Sequence, residues 1–231
     1  MLYVFSGVSQ LPDDFLPACS DVLPGWRMEQ MMEYRFPADR QLSALAYLLL
    51  VFALKNEGLF NGLPEFGYRT SGKPFLANYR DLYFNISHCD GVAACELSGR
   101  EVGIDVETVG DYDDDLARSV CNDKEYAWVT RFEDPGNRAK RFTRLWTRKE
   151  SLVKWLGTGL PDNPREILGP GLSGPDRTDC RISSHYCQAE NFYLSACSNT
   201  IQKKHDEFPI TTRQMHTVKD ISWLFRVVQK K

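Results

Sequence analysis

Four short segments carry groups that could act on a phosphorylated substrate. In Val102-Gly103-Ile104-Asp105-Val106-Glu107, two carboxylates stand two residues apart among apolar neighbours. The two-residue period of a strand puts Asp105 and Glu107 on one face, with Ile104 and Val106 on the other. Adjacent carboxylates repel, and a hard divalent cation with oxygen ligands, Mg²⁺ in particular, relieves that repulsion. The same alternation also describes a half-exposed strand with a solvated polar face. Between Leu145 and Gly157, helical spacing gathers Trp146, Glu150 and Lys154 on one side and leaves Leu145, Leu152, Val153 and Leu156 for a core. Glu150 can complete a three-carboxylate site, with Lys149 and Lys154 holding phosphate oxygens. The plain alternative is an exposed Glu-to-Lys pair four residues apart, worth about 0.3–0.5 kcal/mol. Phe84-Asn85-Ile86-Ser87-His88 ends a strand on a hydroxyl and an imidazole, both donors suited to phosphate. Neighbouring strand residues point to opposite faces and no Gly-x-Ser-x-Gly elbow is present, so Ser87 and His88 do not make a hydrolase triad. The fourth segment, Ser71-Gly72-Lys73-Pro74-Phe75, is a turn holding a cation and a rigid proline.

The elements that must position these groups can be read around them. Leu2-Tyr3-Val4-Phe5 reads as an edge strand in an otherwise irregular opening rich in proline. Asp39 to Lys55 contains neither Gly nor Pro and is rich in Ala and Leu, which predicts a long helix buried beyond its first turn, N-capped by Asp39 and ended before Gly58. A strand over 82–87 follows, then a hairpin of 91–97 with 101–106 across Ser98-Gly99-Arg100. The acidic run 111–115 leads to helices over 116–120 and 124–131, a turn at Asp134-Pro135-Gly136-Asn137, and a helix from Arg138 to Leu156. Strands over 180–186 and 192–197 face each other across 188–191, and a last strand is expected over Ile221 to Val228. The order helix, loop, hairpin therefore occurs twice. It predicts an α+β protein of two pseudo-symmetric halves, 1–108 and 109–231, rather than a doubly wound parallel sheet.

Composition narrows the function classes. The 231 residues carry 28 Lys and Arg against 31 Asp and Glu, a net charge of −3, with 42% hydrophobic residues. This excludes disorder and collagen-like order, and the near-neutral balance argues against a general nucleic-acid binder, so any phosphate site is local. No run approaches the roughly 18 consecutive apolar residues of a membrane span, and Met1 is not followed by a basic leader. The seven cysteines form no CxxC pair and read as reduced thiols. A cytoplasmic protein without a membrane partner is expected.

The four segments, taken in order with Gly157-Thr158-Gly159-Leu160, resemble the 4′-phosphopantetheinyl transferases, in particular their longer, surfactin-synthetase-activating branch. The resemblance runs from about Arg69 to Leu160 and rests chiefly on Gly-Ile-Asp-x-Glu followed by Trp-x-x-Lys-Glu-Ser-x-x-Lys. It implies two pseudo-symmetric α+β halves meeting at a cleft that binds coenzyme A with Mg²⁺, Mn²⁺ being able to substitute. Asp105, Glu107 and Glu150 would be the metal ligands, Glu150 would take the proton of a carrier-protein serine, and Lys154, with Lys149, would hold the pyrophosphate. Lys73 and Pro74 would line the adenine end, Ser87 and His88 would approach the phosphates, and Arg40 would reach the nucleotide. Arg27, Arg35 and Arg69 are the candidates for further 3′-phosphate contacts. The partner would be an apo acyl, peptidyl or aryl carrier protein, docked along the stretch from Asp111 to Tyr126, and one chain would supply both halves of the site as a monomer. The competing readings are an Mg²⁺-dependent hydrolase of nucleotide pyrophosphates and a non-catalytic coenzyme A or carrier-protein binding module.

Overall fold

The computed structural model describes residues 1–8, 11–20, 22–168, 180–199 and 215–218. The strand expected over 221–228 lies outside them. β1 (Leu2–Phe5), α1 (Phe15–Cys19), α2 (Gly25–Met32) and α3 (Pro37–Asn56) are followed by a small hairpin of β2 (Phe66–Tyr68) and β3 (Pro74–Leu76), then β4 (Tyr83–Cys89) and β5 (Val92–Ser98). The chain continues through β6 (Val102–Thr108), α4 (Asp114–Val120), α5 (Asp123–Val129), α6 (Pro135–Leu156), β7 (Cys180–Cys187), β8 (Phe192–Asn199) and β9 (Met215–Val218).

The two larger sheets run β4-β5-β1-β9 and β6-β8-β7. Within the first, β4, β5 and β1 are antiparallel, with β9 added parallel to β1; the second is antiparallel throughout. A hairpin paired with an earlier strand, after a long helix, is thus built twice: β4-β5 on β1 after α3, and β7-β8 on β6 after α6. The layers are α3, first sheet, second sheet, α6. Leu2, Val4, Val92 and Ala94 meet Ile104, Val106, Phe192, Leu194 and Ala196 between the sheets. Tyr3, Phe5, Cys95 and Leu97 pack under α3, and Leu145 and Leu152 of α6 meet Cys197 of β8 on the outer side of the second sheet.

Several expectations change. β1 is not an edge strand: its four apolar residues are buried on both faces, between β5 and β9. The 91–106 hairpin does not form, because β5 already pairs with β4 on one side and β1 on the other. The tight hairpin is β4-β5, and the turn at Ser98-Gly99-Arg100 carries the chain into the other sheet. α3 starts at Pro37 with Phe36 at its N-cap, so Asp39 lies in the first turn instead. There it complements the helix dipole. Its apolarity reaches that of a membrane-crossing helix, with mean hydropathy 1.2, but Leu42 to Val51 are buried beneath the sheet and α1–α2. Asp134-Pro135-Gly136-Asn137 is the first turn of α6 rather than a loop: the Asp134 carboxylate accepts from the Asn137 N–H at 2.8 Å, and Pro135 sits where no N–H is needed.

Candidate functional site

The site forms where β4 and β6, edge strands of different sheets, run side by side. Side chains stitch this seam where no backbone ladder joins it. Asn85 Oδ1 accepts from the Ile104 N–H at 2.8 Å, and Ser87 Oγ donates to Asp105 Oδ1 at 2.9 Å; all four residues are buried. α6 closes the seam from outside, and Gly103 allows its approach. A Cβ at Gly103 would lie 2.2 Å from the Ser151 carbonyl oxygen and from the Trp155 nitrogen. Helix and strand backbones therefore touch, which brings Lys154 Nζ to 2.7 Å from Asp105 Oδ1 and 3.0 Å from Ser87 Oγ. Gly157 ends the helix in the left-handed conformation at φ 70°, as C-terminal glycines do.

Asp105 is 2% exposed, and its Oδ2 is buried without a hydrogen-bond partner. Burial raises its carboxyl, with Lys154 and Ser87 opposing. Glu107 is pushed up to about 7 by burial, then by the charge of Asp105 and Glu150, while Lys154 and the Trp146 indole pull it down. Burial and the Asp105 charge likewise raise Glu150. Three mutually repelling carboxylates thus share the ammonium of Lys154. Among the described residues, no three His, Cys, Asp or Glu side chains converge closely enough to hold a metal ion as they stand. The donor chemistry nonetheless fits a hard cation: all the acceptors are carboxylates, one oxygen is buried and unpartnered, and negative charge is in excess.

His88, on the opposite face of β4 from Ser87, lies edge-on to Tyr34 with ring centroids 6.3 Å apart. Burial lowers its pKa, reinforced by Lys154 and Arg27 and opposed by Asp39. Arg40 Nε donates to the Tyr34 carbonyl at 2.8 Å. The start of α3 is therefore tied to the residue beside His88, whose imidazole in turn feels the charge of Lys154.

Lys149 and Lys73 depart from expectation. Lys149 is fully buried, and its Nζ donates to Glu125 Oε2 at 2.7 Å, the Pro164 carbonyl at 2.8 Å and the Val120 carbonyl at 2.9 Å. One residue from Glu150 is about 100° around a helix, so Lys149 faces α4 and α5 rather than the phosphates. Lys73 Nζ is bound by Glu101 Oε2 at 2.7 Å and by the carbonyls of Trp155 and Val102 at 3.0 and 3.1 Å. It fastens the β2–β3 turn to β6 and to the Trp155 carbonyl near the C-terminus of α6, so its ammonium is committed to the fold. Its stem and Pro74 line a cavity of about 300 Å³ with Arg69, Phe75, Tyr83 and Glu101. Arg27 is committed to Ser43 and Gln30, Arg69 pairs with Glu101, and Arg35 stacks on Phe36 at 5.3 Å.

Sequence reasoning missed Asn85, although its place two residues before Ser87 puts it on the same strand face. It also missed Glu125, whose signal is the capping box Asn122-x-x-Glu125.

A family profile described as the 4′-phosphopantetheinyl transferase superfamily matches residues 101–212, a span holding Asp105, Glu107, Glu150 and Lys154 but not Arg40, Pro74, Ser87 or His88. The 4′-phosphopantetheinyl transferase AcpT of Salmonella typhi is 33% identical over 141 residues, 60% of this chain and 69% of that protein. The chain belongs to the 4′-phosphopantetheinyl transferase superfamily. Among other superfamily members, 4′-phosphopantetheinyl transferase gsp of Aneurinibacillus migulanus is 34% identical over 49% of this chain and 45% of its own length. 4′-Phosphopantetheinyl transferase Sfp of Bacillus subtilis is 30% identical over 42% of each chain. The two support the longer branch of the superfamily that the motif order resembles. The chain spans about half the length of gsp and of a second Bacillus subtilis 4′-phosphopantetheinyl transferase, 45% and 50% respectively.

Proposed function

We propose that this protein transfers the 4′-phosphopantetheine group of coenzyme A to a serine hydroxyl of an apo acyl, peptidyl or aryl carrier protein. The observation that carries the reading is Asp105: buried at the seam of two repeated sheets, held by Ser87 and Lys154, with one oxygen left for a ligand. Asp105, Glu107 and Glu150 would hold Mg²⁺, which when bound neutralises charge on the pyrophosphate. Lys154 and Ser87 line the same wall and offer donors to pyrophosphate oxygens, while His88 and Arg40 approach from the α3 side. Glu150, raised by burial and by its neighbour's charge, accepts the serine proton. The serine oxygen bonds to the β-phosphorus, the bond to the bridging pyrophosphate oxygen breaks, and 3′,5′-ADP leaves. One chain contributes every one of these groups, which supports a monomeric enzyme.

The reading is tested by following 3′,5′-ADP chromatographically in mixtures of protein, coenzyme A and Mg²⁺ with and without an apo carrier. Release that requires the carrier is expected. Release at the same rate without it would show hydrolysis, and binding of coenzyme A with no release would show a binding module.

A further inference from the structure

Lys154 holds a position that the chemistry above uses only in part. Its Nζ lies 2.7 Å from Asp105 Oδ1 and 3.0 Å from Ser87 Oγ, and its positive charge acts on Asp105, Glu107 and Glu150 alike. The other two motif lysines are engaged elsewhere. Lys149 donates to Glu125 and two carbonyls, and Lys73 to Glu101 and two carbonyls. Stripping the cation from a buried carboxylate strands a charge, so Asp105, with a side chain 3% exposed, needs a cation beside it at all times.

The same contact stands in the way of a metal ion. Asp105 Oδ1 already accepts from Ser87 and Lys154, while Oδ2 is buried. Among the described residues, the carboxylates so arranged do not converge closely enough to hold an ion. An ammonium and a divalent cation repel one another, and both seek the same oxygens. The ion pair is closed on the carboxylate's side and open on the lysine's, whose side chain is 30% exposed. A flexible four-carbon stem lets the ammonium move while the backbone of α6 stays packed on Gly103. Lys154 can therefore leave where Asp105 cannot, and once released it is free to meet pyrophosphate oxygens.

We propose, resting on the transferase reading, that Lys154 is the resident counter-cation of the carboxylate cluster and that Mg²⁺ binds by exchange, taking Asp105 from Lys154 and releasing the ammonium toward the pyrophosphate. Metal and phosphate binding are then coupled reciprocally through one side chain. The test is proton–nitrogen NMR of the lysine ammonium groups in the full chain, without coenzyme A, as Mg²⁺ is added. The Lys154 signal, assigned by its loss in Lys154→Met, should shift or vanish at saturating Mg²⁺. Those of Lys149 and Lys73, each held by three acceptors, should stay in place. By calorimetry, Lys154→Met should bind Mg²⁺ about tenfold more tightly than wild type. In EDTA it should melt below wild type, and a fixed Mg²⁺ concentration should raise its Tm further than that of wild type. A Lys154 signal unmoved where calorimetry shows Mg²⁺ saturation would overturn the proposal. So would a Lys154→Met dissociation constant within about twofold of wild type, or weaker. Absence of Mg²⁺ binding by wild type, with or without coenzyme A, would overturn the exchange together with the metal site of the transferase reading. Displacement of Lys154 by Mg²⁺ in a protein that modifies no carrier would uphold the exchange and count against the transfer alone.

Discussion

Replacing Lys149 separates a role in the fold from the role in phosphate binding that the resemblance implies. Lys149→Met keeps the length of an apolar stem and removes the ammonium. Left behind are a Glu125 carboxylate only 1% exposed and two carbonyls, of Val120 and Pro164, that have lost a donor. Removing one member of a buried ion pair costs about 3–5 kcal/mol. In a chain of this size each kcal/mol lowers Tm by about 2–4 °C, so a drop of about 6–20 °C follows. Glu125→Gln added to Lys149→Met removes the stranded charge while keeping an acceptor for the Asn122 N–H, and should restore much of the loss. Thermal unfolding by circular dichroism reads both variants, and calorimetric titration of coenzyme A well below Tm reads the nucleotide. A Tm within about 2 °C of wild type, together with weakened coenzyme A binding, would return Lys149 to the phosphate site.

Gly103→Ala forces a methyl group into the backbone of α6, 2.2 Å from two of its atoms, and should cost about 3 kcal/mol or more; urea unfolding with an unchanged midpoint would contradict the close approach. Glu107, raised from 4.5 to about 7, binds its proton more tightly folded than unfolded. Its contribution to stability is therefore greatest below about 4.5 and is lost as pH rises to about 7. Chemical denaturation across that range should show stability falling with pH, with a shallower slope in Glu107→Gln; an unchanged slope would mean that Glu107 titrates normally. Mg²⁺ should lower the Glu107 pKa, read by carboxyl NMR titration, and a pKa unmoved by saturating Mg²⁺ would remove Glu107 from the metal site.

The sequence made legible what depends on local period. The alternation through 102–107 placed Asp105 and Glu107 on one face, and the four-residue spacing on α6 placed Glu150 and Lys154 on one side. The long α3 and the β7–β8 hairpin were visible in the same way. Strand pairing was not, because a turn such as Ser98-Gly99-Arg100 permits a hairpin but cannot report that β5 is already paired along both edges. Lys149 and Lys73 escaped for a related reason: cations of a motif look equivalent until burial shows that Lys154 faces Asp105 and Ser87 whereas Lys149 faces Glu125 and Lys73 faces Glu101. The seam itself depends on Asn85, whose hydrogen bond to Ile104 joins residues of two different sheets.

Metal-dependent transfer at the seam around Asp105 is the core of the proposed function. Intact mass spectrometry of an apo carrier incubated with coenzyme A and Mg²⁺ tests it most directly, with wild-type protein, with Asp105→Asn and with EDTA. The expected result is a carrier carrying one phosphopantetheine on its serine with wild-type protein and Mg²⁺, and an unmodified carrier in both other mixtures. Equal modification by Asp105→Asn, or modification that survives EDTA, would contradict it.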